Sequence, residues 1–396
     1  MSLDTLATEL LLHIFRSCTS IPDVLNLSLT SRRLHSIFSG TQKLPILAAA
    51  AESEYGPIHD IIQLVTQNAS QPAHTTRSAP MSMALLRQIV AVGRVARQWE
   101  DIYPAKKWKV DFENRRVLNA DERYRLRRAV YRLWLYGRAF HTPLYPRGSR
   151  RMRDVVLERA ELLHNWSSVE LAEIEDVRRV IADVVTNQIC PSNGTIQRKF
   201  RKRFLDGSSS GGSGSGLAFN IHLNYPPPPS VTSSAFAIAS SSSHGSGSGS
   251  GAWDEIETPI SNPFFTLSRP NNNSTTTIPH RNKYATIFRT ADTSSSCAGS
   301  QGWGDEIPHY YIVQDMLKLD PGQILWLRDT AVWKEDVLAY TRGMGEWFEN
   351  NGETWAETVE WVLAERGVDA GGWMAGVEAG GDEEEGGVAR RVVVVE

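Results

Sequence analysis

Arg123-Tyr124-Arg125-Leu126-Arg127-Arg128-Ala129-Val130-Tyr131-Arg132-Leu133-Trp134-Leu135-Tyr136-Gly137-Arg138-Ala139-Phe140-His141 is the stretch from which the fold class follows. Leu126, Val130, Leu133, Trp134 and Gly137 recur at spacings of three and four, the period that gathers side chains on one helix face. Such a stripe needs a core to cover it. Asn119 or Asp121 can cap the start, because a short polar side chain accepts a backbone N–H that has no partner inside the helix. Pro143 ends the run, having no N–H to donate and disfavouring helix just before it.

The same period extends outward to residues 80–99, 151–164, 168–188, 307–319, 321–342 and 353–367. No run of alternating strands and no internal repeat is read anywhere, so the expected fold is mainly α-helical. The 396-residue length exceeds what one ordinary core takes, and 41% hydrophobic with 22% charged residues is close to an average soluble protein. No window approaches the roughly 18 uninterrupted apolar residues of a membrane span. The longest apolar run is Leu44-Pro45-Ile46-Leu47-Ala48-Ala49-Ala50-Ala51. With Asp4 and Glu9 near the start and no positive leader before an apolar stretch, the expected location is cytoplasmic, nuclear or both.

Chemistry-bearing patterns are sparse. Cys18, Cys190 and Cys297 are far apart, which speaks against a disulfide framework or a cysteine-rich zinc site. The glycine-rich stretches carry no lysine where a phosphate-binding loop needs one, and the ten histidines form neither a His-Glu-x-x-His helix nor a zinc spacing. The expectation is no enzyme activity, no cofactor and no metal. Paired carboxylates such as Glu173 and Asp176, or Glu357 and Glu360, read as solvated helix faces.

Composition divides the chain. Residues 207–251 open and close on Gly-Ser runs around Pro226-Pro227-Pro228-Pro229, and polar Asn/Thr/Ser-rich sequence continues to about 300. Sequence so poor in apolar surface does not offset the entropy of ordering a backbone. The expected plan is therefore 1–40, a three-helix unit; 41–206, an irregular multi-helix domain; 207–300, a disordered linker; 301–369, a Trp-rich helical segment; and 370–396, a disordered acidic tail with Asp382-Glu383-Glu384-Glu385. Charge follows the division: 31 Lys+Arg face 21 Asp+Glu in residues 1–206, against 11 and 24 in 207–396. Opposite charges on a flexible tether suggest that the Trp-rich helices fold back onto the basic half.

The N-terminal unit holds three short helical signals. Leu10, Leu11, Ile14, Phe15 and Cys18 make an apolar face wider than one contact requires. Pro22 stands near a helix start with Asp23 in the favourable first turn, and Thr30 or Ser31 can cap a third helix through Phe38. A unit of about 40 residues without disulfides or metal seldom supplies enough core by itself, so its surplus apolar surface needs cover from elsewhere in the chain or from a partner.

Leu6-Ala7-Thr8-Glu9-Leu10-Leu11-Leu12-His13-Ile14-Phe15 followed by Pro22-Asp23-Val24-Leu25-Asn26-Leu27-Ser28-Leu29-Thr30-Ser31-Arg32-Arg33-Leu34 resembles the F-box. Ala7 stands where the motif usually has proline, and Leu34 where many members have tryptophan. Residues 132–141, 322–329 and 345–352 look similar to F-box proteins of filamentous ascomycetes. The resemblance implies a non-catalytic substrate receptor of an SCF-type ubiquitin ligase, whose F-box binds a SKP-type adaptor that joins cullin and RING subunits. It places Leu6, Leu10, Leu11, Ile14, Phe15, Leu25, Leu27 and Leu34 in the F-box core and adaptor interface. The alternative is an F-box scaffold acting outside the ligase. A protein substrate is expected, its identity open, with Trp347 and Phe348 the candidate substrate face; no membrane partner is expected, and nucleic acid is disfavoured. Arg198-Lys199-Phe200-Arg201-Lys202-Arg203 reads as a solvated helix end, with nuclear import the other option.

Overall fold

The computed structural model describes residues 6–109, 115–196, 198, 302–304, 306–331, 334–349 and 351–379. The linker expected at 207–300, the basic run beyond Arg198, and the end of the chain after Ala379 lie outside the described residues. The described segments on both sides of 199–301 belong to one packed unit. They are mainly α-helical, with no strand among the described residues.

The helices are α1 (Thr8–Arg16), α2 (Ile21–Leu29), α3 (Arg32–Ser39), α4 (Lys43–Tyr55), α5 (Ile58–Thr66), α6 (Met83–Lys107), α7 (Ala120–Phe140), α8 (Arg153–His164) and α9 (Ser168–Val184). A π-helical turn, Val185–Ile189, extends α9. After the gap come α10 (Glu306–Met316), α11 (Pro321–Thr330), α12 (Lys334–Gly343), α13 (Trp355–Glu365) and α14 (Ala370–Ala379).

Side chains fix the helix starts. Asn119 accepts from the Glu122 N–H at 2.9 Å while Glu122 accepts from the Asn119 N–H at 2.8 Å, a reciprocal cap that satisfies two otherwise orphaned donors. Ser167 with Glu170 and Asp320 with Gln323 repeat the device at α9 and α11. Ser82 caps α6 through the Leu85 N–H.

Helices α6, α7 and α9 form the middle of the core, with α4 and α5 packed on one side. Leu86, Ile89, Ala96, Trp99 and Tyr103 bury one face of α6, and Leu126, Val130, Trp134 and Leu135 do so for α7. Gly93 is where α4 meets α6: a Cβ there would lie 2.4 Å from the Tyr55 ring, so any side chain would force the two helices apart.

One omission and two expectations need correction. First, residues 44–51 belong to α4, where Ile46, Leu47, Ala50 and Ala51 are all buried. Being apolar on nearly every side, the run carries little helical period, and α5 was unread with it. Second, residues 321–342 are two helices. Ala331 leaves the helical region at φ −72°, ψ 108°, which ends α11 at Thr330, and Trp333 lies outside the described residues. Third, α14 occupies the first part of the expected acidic tail. Trp373 and Val377 are buried, α14 packs against α9 and α13, and Arg179 Nη2 donates to the Met374 carbonyl at 3.0 Å.

The C-terminal helices close the core made by the middle ones. Trp99 Nε1 donates to the Pro321 carbonyl at 3.3 Å, and the Tyr136 hydroxyl lies 2.8 and 2.9 Å from the Thr354 and Thr358 hydroxyls. Trp355, buried, meets the Tyr136 ring edge-on at 5.1 Å and donates from Nε1 to Glu175 at 3.0 Å. The Trp-rich segment is thus packed into the basic half, chiefly through apolar and hydrogen-bonded contacts.

Candidate functional site

Local chemistry sets the geometry of α1–α3. Ser20 caps α2 by accepting from the Asp23 N–H at 3.2 Å, and of the two candidates for α3 it is Ser31 that accepts, from the Leu34 N–H at 3.2 Å. Short links then let α3 pack against both α2 and α1. Leu11, Phe15, Val24, Leu34 and Phe38 form the shared core, with the Phe15 and Phe38 rings stacked at 6.0 Å. Helix α4 covers this core from the far side by contacting all three helices. Polar ties are few: the Ile21 N–H donates to Glu54 at 2.9 Å, and Arg16 donates to Gln42 at 3.1 Å.

The residues expected at the adaptor interface separate into two sets. Leu11, Phe15 and Leu34 are fully buried in the three-helix core, so they hold the unit together rather than face a partner. Leu10 is 53% exposed, while Leu6, Ile14, Leu25 and Leu27 are partly buried at the edge of that core. Leu10 and Ile14, four apart in α1, share a stripe distinct from that of Leu11 and Phe15, and Leu6 lies just before the helix. Leu29 is 73% exposed and was missed; its place four residues after Leu25 was the available signal. The cover that the surplus apolar surface demands is therefore partly internal, from α4, and incomplete among the described residues.

The second candidate pair also divides. Phe348 is only 2% exposed: Lys318, itself buried, sits 4.3 Å above its ring and donates to its carbonyl. That removes Phe348 from any substrate face and leaves Trp347, partly buried, at its edge.

Of the carboxylates read as solvated, Glu173 and Asp176 need correction. Glu173 and Asp176 are buried on α9 because its polar side meets cations of α6 and α7. Arg128 pairs with Glu173, Lys107 Nζ lies 2.5 Å from Asp176, and the Tyr103 hydroxyl donates to Asp176. Glu357 and Glu360 are not fully buried.

Beneath α11 and α13 lies a small cavity lined by Trp134, His141, Arg178, Asp320, Glu353 and Trp355, among others. Burial alone would raise the Glu353 carboxyl, but the paired Arg178 guanidinium outweighs it and holds Glu353 below the ordinary value. Glu175, next to both Arg178 and Arg179, is pushed up by burial, its largest influence. His141 is held down to about 4 and Asp320 raised to about 6, in both cases chiefly by burial. The carboxylates here bind arginines, an indole N–H and backbone N–H groups of this chain, which makes the cluster a tie between α9 and the C-terminal helices.

Among the described residues no cluster of three His, Cys, Asp or Glu side chains could hold a metal ion, and no helix is long and apolar enough to cross a membrane. No family model, curated protein or solved structure matches this chain.

Proposed function

We propose that the chain is a non-catalytic substrate receptor of an SCF-type cullin-RING ubiquitin ligase, in which α1–α3 bind a SKP-type adaptor and the remainder presents a protein substrate. The observation that carries this reading is the division of the F-box-like leucines. Leu11 and Phe15 of α1 are spent on the unit's own core, while Leu10 is more than half exposed, Leu6 and Ile14 are only partly buried, and Leu29 of α2 is exposed. Burying one leucine or isoleucine contributes on the order of 1.5–3 kcal/mol, so a few of them in a partner's groove suffice for a stable junction.

The division selects the informative variant. Leu11→Asp or Phe15→Asp would place a charge in the core and unfold the unit, whereas Leu10→Asp with Ile14→Asp alters its outer stripe. The test is co-purification of the full chain with adaptor and cullin. The wild type should retain both and the double variant neither, with its helical content unchanged. Retention of the adaptor by the double variant refutes this interface; adaptor without cullin from the wild type would instead mark a scaffold outside the ligase.

A further inference from the structure

The loop between α7 and α8 concentrates positive charge that the fold does not use. Residues 142–154 hold four arginines, Arg147, Arg150, Arg151 and Arg153, against the single carboxylate Asp154. Only Arg150 is committed to the structure. Its Nη1 and Nη2 donate to the carbonyls of Asn351 and Glu353 at 2.5 and 2.9 Å, and its own carbonyl accepts from Arg159 at 2.8 Å.

Arg147 and Arg153 are exposed and have no ion-pair partner among the described residues. Arg151 is 85% exposed and lies 3.6 Å from Glu357, a carboxylate it shares with Arg150. Helix α8 begins inside this cluster, its N-cap residue Met152 supplies no capping side chain, and the positive helix end adds to the arginines' field.

The loop is nevertheless held in shape. The N–H groups of Tyr145, Ser149 and Met152 donate to the carbonyls of Thr142, Pro146 and Ser149, making three successive turns. Asn351 Nδ2 donates to the Tyr145 carbonyl at 3.3 Å, and the Tyr145 hydroxyl to Glu158 at 2.9 Å. Upon this scaffold Leu144 and Met152 stand out at 67% and 57% exposure. Apolar side chains set among unpaired cations on a braced loop match a segment that carries both carboxylates and an apolar side chain.

We infer that the α7–α8 loop, through Leu144, Arg147, Arg151, Met152 and Arg153, is a docking surface for an acidic, apolar-bearing peptide segment of a partner protein. The geometry stands independently of the adaptor reading; under that reading the segment belongs to the substrate. Arginines on a braced backbone lose less freedom on binding than those of a mobile basic tail would, and the leucine and methionine add contact that salt does not screen.

The test titrates the full chain with short fluorescent peptides alternating Glu with Leu, Lys with Leu, and Glu with Ser, at low and moderate salt. The Glu/Leu peptide should bind most tightly. Arg147→Glu with Arg153→Glu should weaken it about tenfold or more and flatten the salt dependence, whereas Leu144→Ser with Met152→Ser should weaken it and keep that dependence. Leu10→Asp with Ile14→Asp should leave peptide binding unchanged, which separates this surface from the adaptor interface. An equal or stronger response to the Lys/Leu peptide, no binding of the Glu/Leu peptide, or full binding by folded arginine variants overturns the inference. Binding that emerges only after removal of residues 380–396 would overturn it too, by giving the surface to this chain's own Asp382-Glu383-Glu384-Glu385 run.

Discussion

Helices α1–α3 touch the rest of the chain mainly through α4, by apolar contacts between neighbours in sequence, whereas α11, α13 and α14 lie against α6, α8 and α9. The second set is also tied by buried polar bonds spanning some two hundred residues, such as Tyr136 to Thr358 and Arg178 to Glu353. A region attached by one local seam can be self-contained and still leave apolar side chains uncovered. A region attached through a buried polar network is fixed in place, because each buried polar group must keep its partner, although it too leaves Trp326 and Trp361 exposed. A local seam and long-range closure thus fall at opposite ends of the chain.

The largest expected effect breaks the C-terminal side of this comparison. Trp355→Ala removes a buried indole, its edge contact with Tyr136 and the donor to Glu175. The expected loss is about 3–5 kcal/mol, the usual cost of a large aromatic-to-alanine change in a core. Denaturant unfolding of the full chain should show the midpoint falling for probes in α7 and α13 together. A midpoint that drops only for the C-terminal probe would mean the two parts unfold separately.

Phe15→Ala should cost about 3 kcal/mol by the same argument, but within the other kind of attachment. Removing the ring that stacks on Phe38 loosens α1 and α3 while the core of α6, α7 and α9 keeps its contacts. Hydrogen exchange should then accelerate in residues 8–39 and stay unchanged in α7. Equal acceleration in both would show that the N-terminal unit is not separable.

How much of this was legible beforehand depended on whether the deciding physics is local. The start of α7 at Asn119 or Asp121, the stripe from Leu126 to Trp134, Pro22 and Asp23 in the first turn of α2, and the Thr30 or Ser31 start of α3 are matters of a few adjacent residues, and they could be read directly, whereas the Ser20 cap was not read. Helix α4 was lost because residues wrapped on several sides carry no period. The burial of Glu173 and Asp176 was invisible because the cations that neutralise them, Arg128 and Lys107, lie on other helices. Phe348 looked available beside Glu346 and Glu349 because nothing local announces that Lys318 will cover it. In the F-box-like unit the apolar period located the helices, yet Leu10 and Leu11 differ by one position and only packing tells which faces outward.

A smaller effect tests the polar network through pH. Burial lifts the Asp320 carboxyl from the ordinary 3.8 to about 6, against the opposing pull of backbone N–H donors and Arg138. A raised native value means the folded chain holds this proton longer than the unfolded chain, so the group's contribution is present below about 4 and fades as pH rises through about 6. His141, held down to about 4, acts in the opposite direction and is common to both proteins compared. Asp320→Asn keeps a capping side chain without the titration. Its stability relative to wild type should therefore increase between pH 4 and 6, by on the order of 1 kcal/mol. A difference that is flat across this window would show that Asp320 ionises as freely in the fold as outside it.

The smallest effect is the most diagnostic for the N-terminal side. Leu10 is more than half exposed in α1, its neighbour Leu11 is fully buried, and a charge at position 10 meets water rather than core. Exposed substitutions away from caps and buried pairs usually stay within about 0.5 kcal/mol, and aspartate lowers helix propensity by only about 0.5 kcal/mol relative to leucine. Position 10 is also in the first turn of α1, where negative charge interacts favourably with the helix dipole. Leu10→Asp should accordingly leave the thermal midpoint within a degree or two of wild type. Leu11→Asp, one residue later, should abolish the folded N-terminal unit, because it places a carboxylate among the buried Phe15, Val24, Leu34 and Phe38. If both substitutions proved equally harmful, Leu10 would be part of the core, and the outer stripe could not serve as a docking face. If Leu10→Asp is silent on stability, any loss of partner binding that it causes belongs to the interface itself.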